Sequence, residues 1–281
     1  MLKSRAFAVV AGVTMFGMVG CGGELDVPQE EQGLTYEQFK AKSYLDEGDV
    51  YVYNMDTPAV GPDGEVGEAG LRHVYEQFVR EQAEGKVQSE LAIMRSGGVD
   101  VKWSSTAKLN ITYCVSSSSF GSRYSAAVNA MNSATAAWEA SVNVNFVHLS
   151  QYDSNCSASQ TGVVFDVRQV NSGGQYLARA FFPNDARANR NVLIDNTAFG
   201  SIAPYTLAGI LRHELGHTLG FRHEHTRPEA GTCFEDNNWR ALTSYDRNSV
   251  MHYPQCNGVS GRDLTLTSLD ITGARSVYGS R

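Results

Sequence analysis

The sequence predicts an α+β fold, in which a mixed α/β domain follows smaller N-terminal segments. From Trp103 onward, short β-rich segments alternate with segments of helical spacing. A short helical pattern then leads into a cluster of histidines, and residues 226–265 beyond it have little periodicity. With 281 residues, of which 42% are hydrophobic, the chain is long enough to bury the core of one such domain.

The first 33 residues are predicted to be an export signal and a tether. Lys3 and Arg5 precede an apolar stretch, residues 6–20, which is short for crossing a bilayer. The sequence from Met18 to Cys21 resembles the lipobox of bacterial lipoproteins, in which the Cys is lipidated after signal cleavage. We therefore expect residues 1–20 to be a lipoprotein-type signal peptide and residues 21–33 a flexible tether. Met18 departs from the usual Leu, so ordinary secretion is the alternative.

The next unit, residues 34–98, has its own pattern of elements. Thr35 to Gln38 is a capping-box sequence at a helix start, and Val50–Tyr53 alternates as a strand does. After a connector rich in Gly and Pro, the apolar spacing from Leu71 to Met94 predicts a helix.

The elements of the larger domain, residues 99–281, are predicted from period-2 and period-3.6 patterns. The expected strands are residues 108–115, 142–149, 162–167, 175–182 and 192–195. Helices are expected at residues 122–140, from about residue 205 to Gly220, and from Ser268, as N-cap, to Gly279.

The thirteen residues from His213 to His225 carry the strongest functional signal, because they contain H-E-x-x-H-x-x-G-x-x-H. Residues four apart lie on one face of a helix, so His213 and His217 can bind one Zn²⁺ ion. Gly220 can take the left-handed conformation that ends the helix and brings His223 back as a third ligand. Three protein ligands leave a position open for water and substrate, as in catalytic zinc sites.

Glu214 lies beside the expected metal without ligating it. Its carboxylate can take a proton from zinc-bound water, whose pKa the metal lowers to about 7. The alternative, surface histidines that bind no metal, is disfavoured because these residue types rarely fall at these spacings by chance.

A second segment, Ser249–Pro254 with the sequence S-V-M-H-Y-P, follows the histidines. Together the two segments resemble the metzincin zinc peptidases, and Glu224 and Tyr253 resemble the astacin group among them. The resemblance implies a twisted, mostly parallel sheet, an active-site helix and an irregular lower subdomain. It implies that Met251 lies beneath the metal and that Tyr253 is a fifth ligand or a hydrogen-bond donor to the transition state. Glu224 is then structural and pairs with the N-terminus that propeptide removal creates.

The resemblance also implies latency, with residues 34–98 as a propeptide that is cut near residues 94–99. No Cys lies between residues 22 and 113, so a cysteine-based switch is excluded. Astacin-like propeptides use an aspartate in F-x-G-D, of which this chain has only Gly48 and Asp49. Asp49 is therefore the candidate zinc plug, and an ordinary exposed turn around Gly48 is the alternative.

Four cysteines fall within the catalytic domain, at positions 114, 156, 233 and 256, and none is in a C-x-x-C pattern. An exported chain can oxidise all four, so two disulfides are expected. Three pairings are possible, and Cys114–Cys156 with Cys233–Cys256 closes the shortest loops.

These patterns predict an exported zinc metalloendopeptidase, made as a zymogen, with one catalytic zinc ion and with proteins or peptides as substrates. The net charge of −7 leaves no basic footprint for nucleic acid, and a membrane is expected only through the N-terminal lipid. We expect a monomer. The alternatives are a zinc-binding surface module without proteolytic activity and a zinc hydrolase of small substrates.

Overall fold

The computed structural model describes residues 35–53, 57–61, 64–84 and 91–281. The predicted signal peptide, the lipidation candidate Cys21 and the tether lie outside the described residues. Within the described ranges, no helix combines the length and apolar character needed to cross a membrane.

Helices and short strands alternate along the chain. The helices are α1 (Tyr36–Ala41), α2 (Gly67–Glu84), α3 (Ser117–Phe120), α4 (Tyr124–Ser141), α5 (Leu207–Thr218) and α6 (Ser268–Tyr278). The strands are β1 (Tyr44–Asp46), β2 (Val50–Tyr53), β3 (Thr57–Ala59), β4 (Ala92–Ser96), β5 (Val99–Asp100), β6 (Ile111–Val115), β7 (Phe146–His148), β8 (Phe165–Val170), β9 (Ala178–Arg179), β10 (Asn191–Asp195) and β11 (Trp239–Ala241).

The central sheet has five strands in the order β7-β6-β8-β10-β9. Its first four strands are parallel, and β9 pairs antiparallel with β10 at the edge. The prediction of an α+β fold with a mostly parallel sheet is therefore confirmed. Every residue of β10 is buried, as expected of a parallel strand covered on both faces.

The helix α4 packs against α5 and fixes its position. Met131, Ala134 and Trp138 recur at helical spacing on α4 and are fully buried. The Trp138 ring stacks on Phe221 at 5.6 Å, and its Nε1 donates to the carbonyl of Arg212 at 2.9 Å. One large side chain thus anchors both ends of the segment that carries the histidines.

The N-terminal unit consists of α1, α2 and an antiparallel sheet in the order β1-β2-β3. The capping box of Thr35 with Gln38 is present as predicted. The prediction of one helix from Leu71 to Met94 is wrong at both ends, because α2 runs from Gly67 to Glu84 and Met94 belongs to β4. Leu91 and Met94 are spaced as on one face of a helix, but Leu91 lies just before β4 and Met94 pairs with Trp239 within it.

Strand β4 is built into the catalytic domain, in a second sheet with the order β11-β4-β5. Ile93 is fully buried in the main core and forms a bridge with Phe221. Met94 N donates to the carbonyl of Gly220 at 2.8 Å. The maturation site near residues 94–99 stays a prediction, and a cut there falls at or just after this paired strand.

Smaller differences concern where elements begin and end. The predicted strands 142–149 and 175–182 are reduced to β7 and β9, because only residues 146–148 and 178–179 pair within the central sheet. The N-cap of α6 is Thr267 and not Ser268, since the Thr267 hydroxyl accepts from Asp270 N in a capping box. Both expected disulfides are present, Cys114–Cys156 and Cys233–Cys256, and residues 226–265 form the irregular lower subdomain.

Candidate functional site

The helix α5 carries the first two histidines and is capped at both ends. At its start the Thr206 hydroxyl accepts from Gly209 N at 2.9 Å. At its end Gly220 N donates to His217 O at 2.8 Å, and Phe221 N donates to Gly216 O at 3.0 Å. These two bonds define a Schellman motif, which satisfies carbonyls that a helix end otherwise leaves unpaired.

Gly220 makes the turn after α5 possible. Its φ of +94° lies in the region that favours glycine, and a Cβ there would lie 2.1 Å from the carbonyl oxygen of Val101. The last α5 carbonyls also have partners, since Trp103 Nε1 donates to Thr218 O and Tyr278 OH donates to Leu219 O. The turn is therefore fixed, and it directs the chain back towards α5.

His213, His217 and His223 converge in the structure and are all buried. Their ring centroids lie 4.7–5.2 Å apart, and one ligand atom from each lies within 4.8 Å of the others. The Nε2 atoms of His217 and His223 are 3.2 Å apart. The spacing argument from the sequence thus corresponds to one compact cluster.

The hydrogen bonds of the Nδ1 atoms show which ring nitrogens face the cluster. His213 Nδ1 lies 2.7 Å from the carbonyl oxygen of Val250, and His217 Nδ1 lies 2.8 Å from that of Phe221. A carbonyl oxygen only accepts, so both Nδ1 atoms carry the proton and both Nε2 atoms keep a lone pair. Three neutral imidazole nitrogens directed at one point fit a zinc ion, which these side chains would hold.

Glu214 and Tyr253 lie at the same cavity as the cluster. Both are among its lining residues, together with His213 and with Leu177 and Ala178 from the edge of the sheet. The edge of the central sheet therefore borders the cavity. The Tyr253 ring lies 5.2 Å from the ring of His213, close to the expected metal position.

Met251 lies against Gly216 of α5, and its place beneath the metal stays a prediction. Its side chain is fully buried, and a Cβ on Gly216 would lie 2.3 Å from its sulfur. The carbonyl of Met251 accepts from Glu224 N at 2.8 Å. The turn that contains Met251 is therefore bonded directly to the residue that follows the third histidine.

Asp270, which the sequence analysis missed, holds this turn from α6. Its carboxylate accepts from Ser249 Oγ at 2.6 Å and from Val250 N at 2.9 Å. Val250 O in turn accepts from His213, so Asp270 is connected to the site through a single residue, Val250. Burial raises the pKa of Asp270, and the bonds from Ser249, Thr267 and Val250 oppose that rise. Its only sequence signal is its place in a capping box.

Glu224 is buried and pairs with Arg227, at 2.6 Å between Oε1 and the guanidinium. Burial raises its pKa to about 8, against the lowering effect of the Arg227 charge. Oε2 of Glu224 has no hydrogen-bond partner among the described residues. The pairing of this carboxylate with a new N-terminus stays a prediction.

Glu235 is a second residue that the sequence analysis missed. It lies in the lower subdomain, fully buried, with Oε1 at 2.5 Å from His223 Nδ1. Nothing in its sequence surroundings indicates a functional site, because it belongs to the irregular segment after the histidines.

Asp49, the predicted plug, is exposed in a turn with a φ of +59° and lies beside Gly67 at the start of α2. It is not among the residues that line the cavity at His213, and its role as a plug stays a prediction. Asp46 instead contacts the edge of the sheet, with 2.6 Å to Arg179 Nε and 3.1 Å to Tyr176 OH.

Comparison with known proteins links this geometry to a family. Residues 102–230 match the family model of the matrixins. In alignments of length 94 that cover 26% of this chain, the sequence is 35% identical to human Tolloid-like protein 1 and 33% identical to bone morphogenetic protein 1 of Xenopus laevis. The chain spans 9% and 13% of the lengths of these two relatives.

A solved structure is also similar. It is high choriolytic enzyme 1, a hatching enzyme zinc-protease from the medaka Oryzias latipes, with 21% sequence identity and a TM-score of 0.43. The match covers 67% of this chain and 100% of that chain.

Proposed function

We propose that the chain is a metzincin-type zinc metallopeptidase, an exported endopeptidase made as a zymogen that hydrolyses peptide bonds within proteins. The observation that carries the proposal is the convergence of three buried histidines with Glu214 at a cavity bordered by the sheet edge. Two disulfides support export, because oxidising compartments maintain them. Lipid anchoring through Cys21 is part of the proposal.

The three histidines would hold a zinc ion, which would supply a water of lowered pKa and polarise the scissile carbonyl. Glu214 takes the proton of that water and later gives it to the leaving amine. Tyr253 lies next to His213 and His223, where its hydroxyl can donate to the developing oxyanion. The buried surroundings of Glu214 exclude bulk water, which strengthens these interactions.

The substrate would bind along β9, the edge strand of the central sheet. Leu177 and Ala178 lie at the cavity, so a chain extended along this edge passes the cluster of histidines. Addition of a strand uses backbone hydrogen bonds, which are common to all sequences. This supports internal cleavage of extended chains with limited sequence requirements.

Latency would come from the N-terminal unit, which contacts the same edge. Asp46 pairs with the buried Arg179, and Glu47 pairs with Arg168 at 2.6 Å. The Tyr44 ring stacks on Tyr176, a residue of the cavity lining, with the centroids 5.9 Å apart. While these contacts persist, the unit obstructs the approach of a substrate to β9.

We expect Asp46→Asn to raise peptide hydrolysis by the unprocessed chain about tenfold. A hydrogen bond to a charged group contributes about 1.5–3 kcal/mol, and 1.4 kcal/mol corresponds to a tenfold change. The measurement is initial cleavage of a fluorogenic peptide by chains whose N-terminal unit is still attached. Asp49→Asn is the matched comparison, and it raises hydrolysis only if its carboxylate reaches the metal. Unchanged activity in Asp46→Asn would contradict a role of this ion pair in latency.

The proposed activity is tested with a reduced, unfolded protein as substrate. We expect the processed chain to cut it internally, a chelator to stop the cleavage, and added Zn²⁺ to restore it. Zinc binding without cleavage, even after removal of residues up to about 98, would favour the surface module. Cleavage of small esters or terminal residues alone would favour the small-substrate hydrolase.

A further inference from the structure

We propose that Glu235 is a positioning residue for the zinc ligand His223, because its carboxylate accepts a hydrogen bond from Nδ1–H of that ring. The inference rests on the proposed function, because it concerns the same zinc site, and it adds a residue from outside the histidine motif. It starts from a difference between the three ligands. His213 and His217 donate to backbone carbonyls, whereas His223 faces a carboxylate.

The contact with His223 fixes one tautomer of that ring. Oε1 of Glu235 lies 2.5 Å from His223 Nδ1, and both side chains are fully buried. An ionised carboxylate only accepts hydrogen bonds, so the proton lies on Nδ1 and the Nε2 lone pair points towards His217. A carboxylate behind a metal-bound imidazole also raises its basicity, which a neutral carbonyl does less strongly.

Oε1 of Glu235 also lies near a second imidazole, that of His225. Tyr253 N donates to His225 Nδ1 at 3.3 Å, so the proton of neutral His225 lies on Nε2. That atom is 3.4 Å from Glu235 Oε1. Glu235 therefore contacts two imidazoles. One is the ligand His223, and the other is His225, which accepts from the backbone of Tyr253.

The other oxygen anchors the carboxylate. Oε2 accepts from Arg222 at 2.9 Å, and the same guanidinium binds both oxygens of Asp236 at 3.1 and 2.8 Å. Glu235 and Asp236 are buried together with Arg222, so the two carboxylates need the charge of Arg222 to remain ionised away from water. The disulfide Cys233–Cys256 further joins the loop that carries Glu235 to the segment just after Tyr253.

The test is the affinity of the full chain for Zn²⁺, measured by competition with a chromophoric chelator and without any substrate. We expect Glu235→Gln to weaken zinc binding about 10- to 100-fold, the range found when such outer partners are removed. Asp236→Asn is the matched control, because Asp236 is equally buried and shares Arg222 but does not contact His223. It should leave the affinity within about threefold of wild type, which is below the range for a lost outer partner.

Thermal unfolding of the zinc-free chains checks that both variants fold. If Glu235→Gln does not fold, Glu235→Asp replaces it, since it keeps the charge but withdraws the oxygen from His223. Wild-type affinity in the Glu235 variant, or equal losses in both variants, would overturn the proposal. A wild-type chain that binds zinc but cuts no protein contradicts the proposed function alone, because the affinity comparison needs no cleavage.

Discussion

Replacing Glu214 by Gln is expected to lower kcat for protein cleavage about 1,000-fold, within the range for loss of a general base. The amide has nearly the shape of the carboxylate but cannot take a proton from water. His213, His217 and His223 remain, so zinc content is expected to stay at about one ion per chain. Cleavage of the unfolded substrate and metal content are measured on the same preparations.

Glu229→Gln is the control for this change. Glu229 is exposed beyond the histidines, and its carboxylate lies 3.2 Å from the buried Arg227, which keeps its pairing with Glu224 in this variant. We expect activity within about twofold of wild type, since surface substitutions have small effects. An active Glu214→Gln chain would show that another residue is the base.

Gly220→Ala is expected to lower the free energy of unfolding by about 3 kcal/mol and to weaken zinc binding. The methyl group would enforce a strained positive φ and lie 2.1 Å from Val101 O, a backbone atom that cannot rotate away. Relief of the clash requires the turn between His217 and His223 to shift. His223 is then displaced, so zinc binding weakens in addition to the loss of stability.

Gly231→Ala provides the comparison. Gly231 has a φ of +69°, and nothing lies within 4 Å of a Cβ there, so only backbone strain of about 1 kcal/mol is expected. Denaturant unfolding of the zinc-free chains and chelator competition give the two quantities. Equal losses for the two variants would contradict the close approach of Val101 to the turn.

The zinc cluster is the part of the site that the sequence predicts most fully, because its geometry is local. The spacing of His213 and His217 follows from the helix period, and the position of His223 follows from a turn that glycine permits. Met251 and Tyr253 were recognised only through a resemblance, since nothing in their own periodicity places them under α5.

The roles of residues that reach the site through tertiary contacts could not be predicted from local sequence patterns. Asp270 and Glu235 approach the site from α6 and from an irregular loop, and their contacts depend on tertiary packing. Leu91 and Met94 have helical spacing, yet Met94 pairs with Trp239 of β11, a strand far along the chain. Local patterns describe the period of a segment but not its distant partner.

X-ray absorption at the zinc edge tests the central claim most directly, because it reports the ligands of the bound ion in the full chain. The account predicts three nitrogen ligands at about 2.0–2.1 Å and at least one oxygen ligand in the open position, with no sulfur. His213, His217 and His223 supply the nitrogens, and all four catalytic-domain cysteines are in disulfides. Four protein ligands that close the site, or a sulfur ligand, would contradict a catalytic zinc centre.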